Sequence, residues 1–101
     1  MSAFFGIDVG TNSVKGISVD ESGRILTSSS KPIPMETPKP GWAQQHPEIW
    51  WDAVCVVLRD LVAKGGRLPS AISVSGQMHS LVAVDAEGKV VYPAILWCDQ
   101  R

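Results

Sequence analysis

Apolar and polar side chains alternate along residues 3–30, and a period of two is typical of strands. Two runs of small and polar residues interrupt the alternation, GTNS at 10–13 and DESGR at 20–24. Such runs form tight turns, and the glycine of the second run suits the left-handed position of a short hairpin loop. The stretch therefore predicts a three-stranded antiparallel meander, with its third strand over residues 24–30.

Prolines and then a helical period occupy the next part of the chain. Residues 31–47 hold five of the seven prolines, which predicts an extended surface connection instead of a helix or a central strand. A helix is predicted from Pro47, which suits the first helical position, to the stop signal Gly65-Gly66. Two adjacent apolar stripes form one broad face of this helix. The two tryptophans could serve as a ligand platform, but we favour core packing. The stripes are Trp50, Val54, Val57 and Leu61, and Trp51, Cys55, Leu58 and Val62.

The segment after the helix predicts further strands. Residues 71–75 are small or β-branched, which indicates a buried strand that pairs in parallel with the first strand after the helical crossover. A second hairpin is predicted from residues 81–85 and 90–92, and its turn DAEGK repeats the chemistry of DESGR. Strands, a crossover helix and a further strand together predict an α/β fold.

Composition narrows the classes of function. With 101 residues, 45% of them hydrophobic and 19% charged, the chain suits one small globular domain. A net charge of −1 and scattered Lys and Arg argue against nucleic-acid binding. No apolar segment is long enough to span a membrane, so we expect a cytoplasmic location. The two cysteines match no metal-binding spacing.

The first turn carries candidate phosphate-binding chemistry. A short, open turn can direct several backbone N–H groups into one concavity that suits phosphate oxygens. Asp8 would repel phosphate by itself, but it suits a hard divalent cation such as Mg²⁺ that bridges carboxylate and phosphate. The alternative is a plain hairpin in which Asp8 pairs with Lys15 or caps the turn. The candidate phosphate-binding residues are Gly10, Thr11, Asn12, Ser13 and Lys15.

A second candidate cluster, Gln77, Met78 and His79, follows the strand predicted at residues 71–75. Ligands of open α/β sheets bind at the carboxyl ends of strands, so parallel pairing would open this cluster and the first turn on the same side. For His79 we rank binding of a sugar hydroxyl first, a satisfied structural histidine second and a general base third.

The final run, WCDQR at 97–101, combines an indole with an acid, an amide and a guanidinium. This combination suits polyol recognition by Trp97, Asp99 and Arg101, and the alternative is an Asp99–Arg101 ion pair that holds a loop. Because the sequence stops in such a dense run, we expect the chain to be the N-terminal piece of a longer protein.

Four ordered motifs closely resemble the N-terminus of the FGGY family of carbohydrate kinases, and within it the xylulokinases. They are GIDVGTNSVK at 6–15, GWAQQHPEIWW at 41–51, SGQMHS at 75–80 and AILWCDQR at 94–101. The resemblance covers nearly the whole chain but only the first part of a family member. It implies two ribonuclease H-like domains, related to actin and hexokinase, with the active site between them. Residues 1–101 would be the N-terminal part of the first domain.

The resemblance also implies a reaction, the transfer of the γ-phosphoryl group of ATP to D-xylulose to give D-xylulose 5-phosphate. The turn at 10–13 would contact the ATP phosphates with help from Lys15, and Asp8 would act on Mg²⁺ through water. The sugar would be bound by Gln77, Met78, His79, Trp97, Asp99 and Arg101. The family's catalytic base, an Asp, is expected beyond Arg101, so the chain alone is expected to be inactive and the full-length protein to be a homodimer.

Two positions depart from the xylulokinase pattern. Ser80 stands where xylulokinases commonly have Gly, and Cys98 where many have Asn. Both neighbour predicted sugar contacts, so a gluconate, ribulose or other sugar kinase of the family stays open as an alternative. A non-catalytic domain of the same ancestry that binds a sugar or a partner is the second hypothesis, and a plain structural module is the third.

Overall fold

One helix packs on a four-stranded mixed sheet in the computed structural model, which describes residues 2–101. The sheet has the order β3-β2-β1-β5, and a two-stranded ladder of β4 and β6 lies apart from it. The elements are β1 (Phe4–Val9), β2 (Ser13–Val19), β3 (Ile25–Pro32), β4 (Gln44–Gln45), α1 (Pro47–Gly65), β5 (Ala71–Gly76) and β6 (Ala94–Ile95).

The pairing confirms the predicted α/β topology. Strands β1, β2 and β3 form an antiparallel meander, and β5 pairs in parallel with β1 after the crossover through α1. Helix α1 begins at Pro47 and ends at the left-handed Gly66, whose N–H donates to the carbonyl oxygen of Val62 at 2.7 Å. The local signals for this helix were therefore sufficient to place both of its ends. No helix among the described residues is long and apolar enough to cross a membrane.

The core lies between α1 and one face of the meander. Alternation along the strands turns Phe5, Ile7 and Val14 towards the helix, and α1 contributes Val57 and Leu61. Burying each such side chain stabilises the fold by about 1.5–3 kcal/mol. The opposite sheet face carries Asp8 and Lys15, so the same alternation that builds the core presents these charged side chains to solvent.

Both predicted turns form through the same chemistry. The carboxylates of Asp20 and Asp85 accept the N–H groups two and four residues further on, at 2.8–3.0 Å. Gly23 and Gly88 adopt φ values of 84° and 81°, in the left-handed region that glycine tolerates. The second turn is flanked by an isolated bridge between Val84 and Val90 and not by two long strands, so that hairpin is shorter than predicted.

The prediction that the strand at 71–75 is buried is wrong. All six residues of β5 are exposed, and Val74 retains 63% of its accessible surface. Strand β5 lies at the edge of the sheet, and α1 packs mainly on β2 and β3. The apolar composition was read correctly, but no described element covers this strand.

The core face of α1 is also narrower than predicted. Ala53, Val57 and Leu61 are buried, and Trp50 packs against them, but Trp51 is 65% exposed. At 3.6 residues per turn, Trp51 lies about 200° around the helix from Ala53 and so faces away from the core. The core role predicted for Trp51 is therefore wrong.

The proline-rich segment is extended, as predicted, but it contains the short strand β4. Gln44 and Gln45 pair with Ile95 and Ala94, and the N–H of Leu96 donates to the carbonyl oxygen of Ala43 at 3.0 Å. This ladder brings residues 94–101 back beside the first part of the chain.

Candidate active site

The carboxyl ends of β1 and β5 lie side by side and bring two predicted clusters together. Val9 is the parallel partner of Gly76, and the N–H of Gln77 donates to the carbonyl oxygen of Val9 at 3.0 Å. Strand β1 continues into the turn at 10–13, and β5 continues into residues 77–79. The two clusters therefore open on one side of the sheet, as the expected parallel pairing required.

An open cleft of about 400 Å³ lies between the two clusters. Residues from all three predicted groups line it: Asp8, Gly10, Thr11, Gln77, Met78, His79 and Trp97. Met78 is 71% exposed, and Trp97 is 57% exposed. The cleft is therefore shallow and accessible, with apolar plates beside polar groups.

The turn at 10–13 keeps part of its predicted hydrogen-bonding capacity. The N–H of Gly10 donates to the carbonyl oxygen of Ser13 at 3.0 Å, so this donor is used to close the turn. Within residues 2–101, no acceptor pairs with the N–H groups of Thr11 and Asn12. Two backbone donors of consecutive residues are therefore available to an anion such as a phosphate oxygen.

The hydroxyl of Thr11 joins all three predicted groups. It donates to Oε1 of Gln77 at 3.4 Å and accepts the indole N–H of Trp97 at 3.1 Å. Nε2 of Gln77 also donates to the carbonyl oxygen of Gly10 at 3.4 Å. Gln77 and Trp97 are thus tied directly to the first turn.

Asp8 is exposed at the end of β1, beside the cleft. Its carboxylate accepts a long hydrogen bond of 3.4 Å from the hydroxyl of Ser75. Lys15 is its partner across the sheet, yet no ion pair joins the two among the described residues, which counts against the plain-hairpin alternative. The described residues also contain no group of three or more His, Cys, Asp or Glu side chains that could hold a metal ion. A lone exposed carboxylate fits a Mg²⁺ ion that takes its other ligands from water and phosphates.

Lys15 projects from β2 onto the same open sheet face as Asp8 and Ser75. It lies beside the cleft without lining it. Its ammonium group forms no ion pair with the described residues.

His79 has a left-handed backbone conformation, which is uncommon outside glycine. Its φ is 63°, the one positive φ outside glycine among residues 2–101. A residue held in this region costs about 1–3 kcal/mol, and such residues cluster at functional sites. The side chain is exposed at the cleft and forms no hydrogen bond or ion pair with the described residues. His79 therefore does not fit the interpretation of a satisfied structural histidine.

Asp99 and Arg101 form the ion pair that was the alternative to sugar binding. Nη2 of Arg101 lies 2.8 Å from Oδ2 of Asp99, whose side chain is only 2% exposed. The Asp99 carboxylate accepts hydrogen bonds from the guanidinium of Arg101 and from the backbone N–H groups of Ala43 and Arg101. These bonds, the first above all, lower the pKa of Asp99 to about 2. The guanidinium also lies 3.7 Å from the centre of the Trp42 ring. Neither Asp99 nor Arg101 lines the cleft, so their sugar-binding role stays a prediction.

Residues 3–101 match the sequence profile described as the FGGY family of carbohydrate kinases, N-terminal domain. The chain belongs to this family. The xylulose kinase of Lactococcus lactis subsp. lactis is 47% identical over 104 residues, which cover 100% of this chain and 21% of that protein. The chain thus spans about a fifth of the length of this FGGY relative.

Solved structures of FGGY kinases share the fold closely. The xylulose kinase from Rhodospirillum rubrum superposes with a TM-score of 0.94 at 33% identity, over 98% of this chain and 21% of that one. The gluconate kinase from Lactobacillus acidophilus gives 0.89 at 36% identity, over 97% and 20%. Between these two solved structures, the gluconate kinase is about as similar in sequence to this chain as the xylulose kinase.

Gln45 is a site residue that sequence reasoning missed. It is 0% exposed, and its Nε2 donates to the carbonyl oxygen of Thr11 at 2.6 Å. The hydrophobic pattern gave no indication of this contact, because Gln45 lies among prolines in a predicted surface connection. The one available signal was its place in the FGGY-like motif GWAQQHPEIWW.

Proposed function

We propose that this chain is the N-terminal part of an ATP-dependent sugar kinase whose favoured substrate is D-xylulose. The observation that carries the proposal is the contact of Thr11 with both Gln77 and Trp97, which joins a phosphate-binding turn to a polyol-binding cluster at one cleft. A kinase needs the nucleotide phosphates and the acceptor hydroxyl in one place. The identity of 47% to a xylulose kinase supports the choice of sugar.

In this proposal the first turn binds the nucleotide phosphates. The N–H groups of Thr11 and Asn12 donate to phosphate oxygens, and Lys15 adds positive charge. Asp8 holds the Mg²⁺ of the Mg·ATP substrate through water, and the ion neutralises phosphate charge. Such charge neutralisation and positioning are the main sources of catalysis in phosphoryl transfer.

The sugar side of the cleft is the cluster at 77–79 with Trp97. The unpartnered imidazole of His79 hydrogen-bonds a sugar hydroxyl, while Met78 and Trp97 supply apolar surface for the carbon skeleton. Gln77 contributes by holding this side to the first turn. Asp99 and Arg101 act on the sugar indirectly, by fixing the segment that carries Trp97.

The catalytic base is proposed to be an Asp from a part of the protein outside residues 1–101, as is the adenosine site. The coverage of about a fifth of the relatives supports this division. The exposed apolar residues of β5, Ile72 and Val74, support it as well, because the rest of a domain would cover them. A cytoplasmic location and a homodimeric assembly complete the proposal.

The test is a substrate survey with the complete gene product and, in parallel, with the 101-residue chain. ADP release and the mass of the sugar product are measured with D-xylulose, D-ribulose, D-gluconate and glycerol. We expect the highest kcat/KM with D-xylulose and no turnover by the chain alone. A higher kcat/KM with D-gluconate or D-ribulose would replace D-xylulose as the proposed substrate. Sugar binding without turnover by the complete protein would favour a binding module.

A further inference from the structure

The side-chain amide of Gln45 is buried and uses all of its hydrogen-bonding positions. Nε2 donates to the carbonyl oxygens of Thr11 at 2.6 Å and Pro34 at 3.2 Å. Oε1 accepts the indole N–H of Trp50 at 2.8 Å and Nε2 of Gln77 at 3.3 Å. The indole can only donate and the carbonyl oxygens can only accept, so these partners fix which way the amide points.

Two glutamine amides together hold two consecutive carbonyl groups of the first turn. Gln45 binds the carbonyl oxygen of Thr11, and Gln77 binds that of Gly10. The amides also bond each other, so they form one unit. We call Gln45 and Gln77 the amide pair.

The geometry of the peptide bond connects the amide pair to the free donors of the turn. In a trans peptide the C=O of one residue and the N–H of the next point in opposite directions. The described chain has no cis peptide. Holding the carbonyl groups of Gly10 and Thr11 therefore turns the N–H groups of Thr11 and Asn12 away from the amide pair. Neither of these two N–H groups has an acceptor within residues 2–101.

We propose that Gln45 is a positioning residue for phosphate: it orients the peptide units of the first turn so that the N–H groups of Thr11 and Asn12 face the nucleotide. The inference rests on the proposed function for its ligand, but the effect of Gln45 on the turn itself does not. Gln45 is 0% exposed, so its side chain is not accessible to a ligand and its role is separate from that of the ligand-binding residues.

Two variants and one control test this role in the complete gene product. Gln45→Met removes all four hydrogen bonds. Gln45→Glu is isosteric and keeps the acceptor for Trp50 and Gln77, but its ionised form has no donor for Thr11. Val57→Ala is the control, because it creates a cavity in the core under Gly16 and leaves the amide pair in place.

The first measurement is amide hydrogen exchange in peptides covering residues 6–15 and 31–35. These contain the N–H groups of Gly10 and Ile33, which donate to the carbonyl oxygens of Ser13 and Asn12 and so report on the turn. We expect faster exchange at both in the Gln45 variants and not in Val57→Ala. Unchanged exchange in the Gln45 variants would overturn the inference, whatever the protein phosphorylates.

The second measurement is the dissociation constant for Mg·ATP. We expect it to rise about tenfold in Gln45→Met, the factor that matches the loss of one good buried hydrogen bond. In Gln45→Glu the carboxyl regains a donor when protonated, so its affinity relative to the unmodified protein should recover between about pH 8 and about pH 6. An equal rise of this dissociation constant in Val57→Ala would show that the Gln45 variants act only through general stability. Failure of the unmodified protein to bind Mg·ATP would overturn the proposed function, while hydrogen exchange still decides the role of Gln45.

Discussion

The indole N–H of Trp97 donates a hydrogen bond to the hydroxyl of Thr11 at 3.1 Å, across 86 positions of the sequence. Ser80 supports this contact, because its hydroxyl accepts the backbone N–H of Trp97 at 3.2 Å and donates to Oε1 of Gln77 at 3.5 Å. Gln77 accepts from Thr11 in turn. The four residues form a closed ring of hydrogen bonds, through three side chains and both the backbone and the indole of Trp97, that fixes the indole at the mouth of the cleft.

Trp97→Phe tests this ring. The substitution keeps an aromatic plate and removes the indole donor, so we expect the KM for D-xylulose to rise about twofold to tenfold, as the loss of a neutral hydrogen bond predicts. Trp51→Phe is the matched control, because the Trp51 indole is exposed and has no partner among the described residues. Steady-state kinetics of the complete protein measure both. Equal KM values in the two variants would count against a role for the ring.

Asp8→Asn tests the metal role. It replaces the carboxylate with a neutral isostere, so we expect kcat to fall at least about 100-fold, a size typical of lost electrostatic stabilisation. The control is Ser75→Ala, which removes the hydroxyl that bonds Asp8 but leaves its charge. The kinetics are measured over a range of Mg²⁺ concentrations. A kcat near that of the unmodified protein in Asp8→Asn would exclude this function for the residue.

Asp99→Asn is expected to lower stability in a pH-dependent way. The pKa of Asp99 is lowered to about 2, chiefly by the hydrogen bond from Arg101, so the folded state binds fewer protons than the unfolded state between about pH 2 and about pH 4. Its stabilising effect is therefore complete above about pH 5 and is lost as the pH falls towards about 2.

Thermal unfolding of the two proteins at several pH values measures this effect. The difference in Tm between the unmodified protein and Asp99→Asn should shrink on acidification. In an Arg101→Met background, which lacks the guanidinium, the same substitution should show a weaker pH dependence. A difference in Tm that is constant from neutral to acid pH would show that the ion pair does not hold the carboxylate in its charged form.

Gly16→Ala tests the close approach of α1 to β2. A Cβ at Gly16 would lie 2.5 Å from the side chain of Val57, so we expect the free energy of unfolding to fall by about 1–3 kcal/mol. Gly65→Ala is the control, since its Cβ would lie 3.9 Å from the methyl group of Thr27 and alanine favours the helix by about 1 kcal/mol or less. Chemical denaturation compares the two. Similar free energies of unfolding in the two variants would mean that α1 moves away from β2 at little cost.

The elements whose signals are local were predictable. The alternation of β1 and β2, the aspartate–glycine turns and the ends of α1 each depend on a few neighbouring residues, and all of them form. Burial was less predictable, because the exposure of β5 and Trp51 depends on which other elements pack there. Apolar composition indicates that a surface prefers to be covered, but it does not say whether a given segment covers it.

The sequence by itself determined the α/β topology, the family and the position of the two candidate clusters at the ends of parallel strands. Only the tertiary structure decided that Asp99 binds Arg101 away from the cleft, and that Gln45 reaches the carbonyl group of Thr11. The physical reason is the separation in sequence between the interacting residues. Periodicity and turn chemistry act between residues close in sequence, whereas Gln45 meets Thr11 from 34 positions away, after the chain has returned through β4.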